Sequence, residues 1–334
     1  MKKVDIIIPT YRPDKGFLTL LDKLSTQSYP VNRIVIMNTE EKFFAQFVYG
    51  SDFLKKYRNV EVHHISQKEF DHGNTRNQGV KYTDGDVFVL MTQDAMPADE
   101  FLVENLVVAL SNERVAVAYA RQLPAADCGV IETFVRGFNY PETSCLKGKE
   151  DIDKLGIKTY FCSNVCAAYR REIFVSLGGF IRCTIFNEDM IFAAKAVQAG
   201  YQIAYTADAR VIHSHNYTHK EQFRRNFDLG VSQADHPEIF DGIASESEGL
   251  RMVRQAGAFL WQQKKKRKIP SLYIGSACKF LGFRLGKKYR CLPKKMVLHC
   301  TMNKSYWRIQ EIRKSCQGID ATKGYGRNEE KEGK

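Results

Sequence analysis

Hydrophobic positions in the first 120 residues alternate between two spacings. Five short runs of β-branched and other apolar residues predict strands at residues 4–9, 33–38, 60–65, 86–91 and 115–120. Between these runs the apolar residues recur every three or four positions, as in residues 17–24 and 101–110, which predicts amphipathic helices. This alternation predicts an α/β fold in which a mostly parallel sheet is flanked by helices on both faces.

The pattern changes after residue 120. Residues 121–160 contain several Gly and Pro and predict a long irregular connection. The elements predicted beyond it are a strand at 160–169, a helix at 187–199, and strands at 201–205 and 209–213. After Trp261 the chain becomes basic, and the helical pattern there is weakened by Gly275, Gly282 and Gly286.

Polar residues and one proline follow several of the predicted strands. Because open α/β sheets bind ligands beyond the carboxyl ends of their strands, these residues are the first candidates for function. They are Pro9, Thr10 and Tyr11 after the first strand, Glu40 after the second, Arg76 in the Gly-Asn-Thr-Arg-Asn segment 73–77 after the third, and Gln93 and Asp94 after the fourth. We expect them to line one edge of the sheet.

Acidic residues at two element boundaries point to chemistry. Asp94 offers an oxygen ligand for Mg²⁺ or Mn²⁺ beside phosphates, although a cap on the helix predicted near residues 99–110 would also explain it. Glu188 and Asp189 lie in the first turn of a predicted helix, where the positive helix end favours ionised carboxylates. An ionised Asp189 facing the crevice would be a general base, and ordinary first-turn charge is the alternative.

Two histidines end the last predicted strand. His213 and His215 are two residues apart, so both imidazoles lie on one face and can reach the same ion, unless they are simply buried and hydrogen-bonded. A zinc-dependent hydrolase built on His213, His215 and His219 is a rival enzyme class. The sequence contains no phosphate-binding P-loop, no G-x-G-x-x-G after a strand and no G-x-S-x-G, which argues against the corresponding nucleotide-binding and hydrolase families.

The net charge of +12 is concentrated near the C-terminus. Residues 261–334 hold 20 Lys and Arg against 5 Asp and Glu, whereas the first 260 residues hold 30 against 33. This asymmetry indicates an anionic partner. We expect an anionic membrane surface rather than nucleic acid, because a net acidic body does not suit a phosphate-lined channel. Packing of the basic helices on the catalytic domain is the alternative.

Cysteine usage and hydropathy bear on location. The nine cysteines are odd in number and include no C-x-x-C pair, which favours reduced thiols over a disulfide framework or a Cys-rich zinc site. No apolar run approaches the roughly 20 residues that cross a bilayer. We therefore expect a cytoplasmic protein that can be peripheral on the inner face of the plasma membrane.

Taken together, these motifs resemble inverting glycosyltransferase family 2, whose members have the GT-A fold. The resemblance covers about residues 4–240 and rests on five places: Ile8-Pro9-Thr10-Tyr11 for the nucleotide-binding turn, residues 73–77 for a G-x-x-x-R-N segment, Gln93-Asp94-Ala95 for the D-x-D motif, Glu188-Asp189 for the E-D base motif, and His213 for a later metal-binding His. Two departures, the loss of one acidic residue at Gln93 and the Asn38-Thr39-Glu40 turn, resemble the bacterial rhamnosyltransferase branch.

The resemblance implies a function. It implies metal-assisted, inverting transfer of L-rhamnose from dTDP-L-rhamnose onto a growing cell-surface polysaccharide or a lipid-linked glycan, with a UDP-hexose donor as the alternative. The residues it assigns to the donor are Pro9, Thr10, Tyr11, Glu40, Arg76, Gln93 and Asp94. It assigns a divalent cation, Mg²⁺ or Mn²⁺, to Asp94 and His213, and the general base to Asp189 beside Glu188.

The same resemblance and the charge asymmetry predict the domain organisation. We expect a GT-A catalytic domain at residues 1–240, a basic helical C-terminal region at 241–320, and a disordered tail at 321–334.

Overall fold

The computed structural model describes residues 1–242 and 246–308. Its central element is a nine-stranded sheet. Its strands are β1 (Val4–Tyr11), β2 (Arg33–Thr39), β3 (Val60–Ile65), β4 (Val87–Met91), β5 (Met96–Pro97), β6 (Val115–Leu123), β7 (Cys145–Lys147), β8 (Cys166–Arg170) and β9 (Gln202–Ile212). They follow the order β3-β2-β1-β4-β8-β6-β9-β5, and β7 pairs with β9. Strands β3, β2, β1 and β4 are parallel, β8 is antiparallel to both of its neighbours, and β6 is parallel to β9.

Helices cover the sheet and extend the chain beyond it. The α-helices are α1 (Lys15–Ser25), α2 (Glu41–Val48), α3 (Phe53–Lys56), α4 (His72–Lys81), α5 (Leu102–Ala109), α6 (Val130–Asn139), α7 (Ile152–Leu155), α8 (Arg171–Ser176), α9 (Glu188–Gln198), α10 (His219–Asp235), α11 (Pro237–Phe240), α12 (Glu246–Gln262), α13 (Ile269–Lys287), α14 (Lys294–Cys300) and α15 (Lys304–Arg308). Among these helices, none combines the length and apolar character that a membrane span requires.

The central strands are apolar because both of their faces are buried. In β1, Ile6 and Ile8 belong to the core under α1 and α5, whereas Ile7 belongs to the core on the opposite face. A strand covered on both faces has no solvent-facing side, so its sequence is a continuous apolar run. The predicted mostly parallel sheet with helices on both faces is therefore confirmed.

The predicted strand at 160–169 is wrong in its first half. A 3-10 helix spans Gly156–Tyr160, and β8 begins only at Cys166. The ammonium group of the buried Lys147 donates hydrogen bonds to the carbonyl oxygens of Lys158 (3.1 Å) and Phe161. The chain then enters β8, which runs antiparallel to β4 and β6.

Two further boundaries were predicted incorrectly. The strands at 201–205 and 209–213 form one strand, β9, because a shift in its register against β6 between Ala120 and Arg121 absorbs the intervening residues. The connection predicted as irregular at 121–160 contains α6, β7 and α7. In α6 the apolar residues Val130, Ile131 and Phe134 recur at helical spacing and pack against the C-terminal helices, a signal that the sequence analysis missed.

Close contact between α10 and α13 attaches the C-terminal region to the catalytic domain. A Cβ atom added at Gly282 would lie 2.2 Å from the Phe223 carbonyl oxygen, and one added at Gly286 would lie 2.1 Å from the Phe227 carbonyl oxygen. Gly282 and Gly286, which weaken the helical pattern in the sequence, therefore permit the backbones of α10 and α13 to approach each other. The division at residue 240 stays a prediction, and the tail predicted at 321–334 lies outside the described residues.

We predict that Gly282→Ala destabilises the protein by ~1–3 kcal/mol, because the gain in helix propensity is outweighed by overlap with a backbone oxygen. Thermal unfolding measures the effect. The matched control is Gly275→Ala in the same helix, where the added Cβ would lie 3.5 Å from the His219 ring and should be tolerated. Equal unfolding midpoints for the two variants would contradict the role given to Gly282.

Candidate active site

Asn38 joins the carboxyl ends of the first three strands. Its Oδ1 accepts a hydrogen bond from Thr10 Oγ1 at 3.2 Å, and its Nδ2 donates to the Glu40 carbonyl oxygen at 3.1 Å. The same Nδ2 lies 3.0 Å from His64 Nδ1 on β3. Thr10 and Asn38 are both buried, so this network forms the floor of the crevice and the Thr10 hydroxyl is already engaged.

Glu40 occupies a strained turn at the edge of that floor. Its φ of 66° lies in the left-handed region, which residues other than glycine rarely adopt. The Glu40 Oε1 accepts a hydrogen bond from the Gln67 backbone N–H at 2.7 Å. Strain of this kind persists only where the surroundings enforce it, and it is typical of functional sites.

Tyr11, Arg12 and Phe43 form an aromatic and cationic platform beside the crevice. The Tyr11 and Phe43 rings meet edge to face at 5.5 Å, and the Arg12 guanidinium lies 4.4 Å from the centre of the Phe43 ring. Gln93 holds the platform in place, because it accepts a hydrogen bond from the Tyr11 backbone N–H at 2.9 Å and donates one to the Tyr11 carbonyl at 3.1 Å. Gln93 therefore connects β1 to the loop after β4.

Asp94, His213 and His215 converge on one point. The Asp94 Oδ2 lies 3.6 Å from Nε2 of each histidine, and the three candidate ligand atoms all lie within 4.8 Å of one another. Asp94 does not cap α5, since Asp99 accepts the hydrogen bond from the Phe101 N–H before that helix. One carboxylate and two imidazoles fit a divalent cation, and the imidazoles favour Mn²⁺ over Mg²⁺.

Protonation at this cluster also suits a cation. Burial alone would raise the pKa of Asp94, but hydrogen bonds and charge from His213, Thr92 and His215 hold that pKa well below its usual range. Burial, with the charge of His213, lowers the pKa of His215. An ionised carboxylate and a neutral imidazole are the forms in which these side chains have a free lone pair for a metal.

Gln122 orients His213. The Gln122 Oε1 lies 3.1 Å from His213 Nδ1 and also accepts from the Arg136 guanidinium. Because an amide oxygen only accepts, Nδ1 must carry the proton, which leaves the lone pair on Nε2 pointing to the cluster. The sequence analysis did not select Gln122, although a polar residue at the end of an apolar run was a usable signal.

His219 does not join the cluster. Its Nε2 lies 3.2 Å from Ser271 Oγ on α13, and Asp94 supplies the third ligand position in its place. The site of three histidines that a zinc-dependent hydrolase would use is therefore not formed among the described residues.

The segment at residues 73–77 contacts the loop before α9 and the first residue of that helix. Gly73 lies so close to the Ile181 carbonyl oxygen that an added Cβ would be 1.9 Å away, and Asn77 exchanges two hydrogen bonds with the backbone of Phe180. Arg76 completes the contact, because its guanidinium nitrogen NH1 lies 3.3 Å from Glu188 Oε1 and both side chains are buried. In this structure Arg76 faces a carboxylate, and its predicted contact with a nucleotide stays a prediction.

Asn164, which sequence reasoning missed, binds both carboxylates at the start of α9. Its Nδ2 donates to Glu188 Oε1 at 3.1 Å, and its backbone N–H donates to Asp189 Oδ2 at 3.0 Å. Tyr169 in β8 orients it by donating to Asn164 Oδ1 at 2.7 Å. The polar pair Ser163-Asn164 directly before an apolar strand was the available signal.

Asp189 differs from the ionised carboxylate expected at a helix N-terminus. Burial and the adjacent negative charge of Glu188 raise the pKa of Asp189 to about 7 and outweigh the helix end. Glu188 keeps a lowered pKa in spite of its burial, because Arg76 and His72 stabilise its charge. The pair therefore consists of one fixed anion and one carboxyl group that titrates near neutral pH, which suits a general base.

Comparison with known proteins identifies the family. The profile of Glycosyl transferase family 2 matches residues 5–178, which is more than half of the chain. This chain belongs to glycosyltransferase family 2. The glycosyltransferase is 41% identical over 309 residues to the O-antigen chain rhamnosyltransferase RfbN of Salmonella typhimurium, which covers 91% of this chain and 96% of the relative. It is 42% identical over 247 residues to WbaN of Salmonella anatum, also named an O-antigen chain rhamnosyltransferase, which covers 73% and 78%.

Solved structures agree on the fold. The mannosyltransferase PcManGT of Pyrobaculum calidifontis, in complex with GDP-Man and Mn²⁺, aligns with a TM-score of 0.54 and 16% identity over 96% of this glycosyltransferase and 88% of that chain. S. aureus TarS 1-349 aligns with a TM-score of 0.51 over 86% and 91%. The predicted GT-A fold and the prediction of a nucleotide-sugar glycosyltransferase are confirmed, so the zinc-dependent hydrolase and the nucleic-acid-binding protein are set aside.

With Asp189 as general base, turnover should rise with pH through about 7, because the carboxyl group must lose its proton before it can accept one. Asn164→Asp places a third carboxyl group beside Glu188 and Asp189. We predict that it moves the midpoint of the pH–rate profile upward by about one pH unit and therefore lowers turnover at pH 7 by ~5-fold.

The control for this titration is Asn59→Asp, an exposed position at the start of β3 that should keep the wild-type profile. An unchanged midpoint in folded Asn164→Asp would contradict the contact assigned to Asn164.

Proposed function

We propose that this glycosyltransferase transfers L-rhamnose from dTDP-L-rhamnose onto a growing cell-surface polysaccharide or lipid-linked glycan, with inversion at the anomeric carbon. The observation that carries the sugar assignment is the identity of 41% over 91% of the chain to a protein named as an O-antigen chain rhamnosyltransferase. A second relative with the same description, 42% identical, supports it. A UDP-hexose donor is the alternative that the experiment below distinguishes.

The donor side of the site is the crevice at the ends of β1 and β2. The exposed Tyr11 ring and the Arg12 guanidinium offer a stacking surface for a nucleobase, and Glu40 offers a carboxylate for base or ribose. Pro9 and Thr10 shape the floor on which this surface rests. Gln93 acts on the donor indirectly, because its amide Oε1 accepts from the Tyr11 N–H and its amide Nε2 donates to the Tyr11 carbonyl.

The cation site is Asp94 with His213, and His215 completes it. A divalent cation held there would offset the negative charge that builds on the departing nucleoside diphosphate. Gln122 supports the site by fixing the His213 tautomer. The named complex of PcManGT with Mn²⁺, together with the two imidazoles, favours Mn²⁺.

Asp189 is the base in this proposal. It accepts the proton of the acceptor hydroxyl while that oxygen forms a bond to the anomeric carbon, and dTDP leaves from the opposite face with the electron pair of the broken bond. Glu188 stays ionised against Arg76, which keeps the pKa of Asp189 near neutrality. A single displacement of this kind inverts the configuration at the anomeric carbon.

The outer face of α13 supports membrane attachment. Four large apolar side chains of this helix are more than half exposed: Tyr273, Ile274, Phe280 and Leu281. The glycine face of the same helix packs on α10, so the apolar face points outward while the exposed basic run 264–268 precedes it. An apolar face flanked by basic residues is suited to the anionic cytoplasmic leaflet, where a lipid-linked acceptor would lie.

The donor is tested by screening dTDP-L-rhamnose, UDP-glucose, UDP-galactose and GDP-mannose with Mn²⁺ for nucleoside diphosphate release in the presence of a lipid-linked oligosaccharide extract. We expect release from dTDP-L-rhamnose. Asp189→Asn should bind dTDP as the wild type does and turn over at least ~100-fold more slowly, because the proton acceptor is lost. A preference for a UDP-hexose would overturn the rhamnose assignment and leave the transferase mechanism intact.

Metal dependence is tested by chelation and by substitution at the cluster. Excess chelator should abolish turnover and Mn²⁺ should restore it, because one carboxylate and two imidazoles hold the ion loosely. Gln122→Leu removes the acceptor for His213 Nδ1 and should weaken Mn²⁺ affinity by ~10–100-fold, as measured by titration of activity. Full activity in excess chelator would contradict the cation site.

Membrane attachment is tested by co-sedimentation with anionic and neutral liposomes. The wild type should prefer anionic liposomes and dissociate as salt rises, because each basic residue near the surface adds ~1 kcal/mol and is screened by ions. The double variant Phe280→Ser with Leu281→Ser should bind more weakly. The matched control, Tyr49→Ser with Leu54→Ser, changes exposed apolar residues near α2 and α3 and should bind as the wild type does. Equal binding to both liposomes at low salt would contradict the attachment.

A further inference from the structure

A cavity of about 210 Å³ lies between the catalytic domain and the C-terminal helices. One wall consists of the start of α6 and the segment that follows β9, and the other consists of α13 with residues of α10 and α12. The platform of Tyr11, Arg12 and Phe43 lies at the end of β1 and in α2, which follows β2, whereas this cavity is reached from the end of β9 on the other half of the sheet. The two spaces therefore lie on different sides of the Asp94 cluster.

His215 belongs to both the cluster and the cavity. Its Nε2 lies 3.6 Å from Asp94 Oδ2, and its side chain also lines the cavity. A hydrogen-bonded chain makes a second connection: Glu132 in the cavity wall binds Arg136 at 2.8 Å, and Arg136 donates to Gln122, which orients His213. A ligand in this cavity would therefore lie directly beside the candidate cation site.

We propose that this cavity binds one neutral glycosyl unit of the acceptor, which is an extension of the transferase function proposed above. Tyr217 supplies a ring face for the apolar side of a sugar, and Gln222 supplies a donor and an acceptor for its hydroxyl groups. Ser271 and Ser276 also line the cavity, and their hydroxyl groups already contact His219 and the Leu272 carbonyl oxygen. The volume is smaller than the roughly 300 Å³ at which pockets for drug-sized molecules begin, and it is several times the ~30 Å³ share of one water. That size suits a single ring.

The lining of the cavity carries charges of both signs. Glu132 places a carboxylate in the wall and is paired with Arg136, while the exposed Lys268 and the partly buried Lys279 place two ammonium groups there. Burial lowers the pKa of Lys279, and the charge of Glu132 opposes that shift. A site selective for phosphate would present cations and N–H donors without a carboxylate among them. Within the second wall, His219 Nε2 of α10 lies 3.2 Å from Ser271 Oγ of α13, and this contact connects the two helices beside the cavity.

Gly275 provides a way to fill the cavity without disturbing the fold. A Cβ added there would lie 3.5 Å from the His219 ring, an ordinary contact, and a longer side chain would extend into the space. Gly137 in α6 is the matched control, because nothing lies within 4 Å of a Cβ added there. We therefore compare Gly275→Leu with Gly137→Leu in the full-length protein, with thermal unfolding as a check on folding.

The probes are the methyl glycosides of glucose, galactose, mannose and L-rhamnose, detected by saturation-transfer NMR, with dTDP binding in Mn²⁺ measured by calorimetry. We expect at least one glycoside to bind the wild type and Gly137→Leu. Gly275→Leu should lose at least ~90% of that signal, about a tenfold weakening, while its affinity for dTDP stays within twofold. Tyr217→Ala, which removes a contact instead of filling space, should reduce the same signal.

Two results would overturn the proposal: no glycoside binds the wild type, or folded Gly275→Leu retains the wild-type signal. Neither result bears on transfer, which the donor screen measures separately. Failure of every donor in that screen would remove the proposed transfer reaction, while the NMR comparison would still decide whether the cavity binds a sugar.

Discussion

The buried ion pair between Arg76 and Glu188 is the constraint on which the candidate active site depends. Arg76 lies in α4, which follows β3, and Glu188 begins α9, more than a hundred residues later in the chain. Removing one partner of such a pair costs about 3–5 kcal/mol, because the other charge stays buried and unpaired. The pair fixes the start of α9 relative to the strand ends, and its anion adds to burial in raising the pKa of the neighbouring Asp189.

Local patterns predicted the frame of the molecule and the positions of its candidate residues. The apolar runs of β1, β2 and β4 are visible because strands buried on both faces need continuous hydrophobic sequence. The resemblance to a known family assigned Asp94 and His213 to one cation, and the structure places their side chains 3.6 Å apart. The resemblance to glycosyltransferase family 2 was correct and assigned roles that spacing alone could not assign.

Properties that depend on distant parts of the chain were not visible in the sequence. The antiparallel direction of β8 is defined by its pairing with β4 and β6, two strands that lie far from it in the sequence. The contact of Asn164 with Glu188 spans 24 residues, and that of Gln122 with His213 spans 91. The helix-end rule predicted an ionised Asp189 because it counts the helix alone, whereas burial and a neighbouring carboxylate decide the protonation of this group.

The use of Gln93 as a backbone clamp has a consequence for the order in which ligands assemble. Gln93 is neutral, and the oxygen and nitrogen of its amide both bind the Tyr11 backbone. The protein therefore brings one formal negative charge, that of Asp94, to the cation cluster. The diphosphate of a nucleotide-sugar carries further negative charge to the same place. If both bind as proposed, cation and donor would each raise the affinity of the site for the other by the same factor, as thermodynamic linkage requires. The measured affinity for the donor would then depend on the concentration of the cation, and that for the cation on the concentration of the donor.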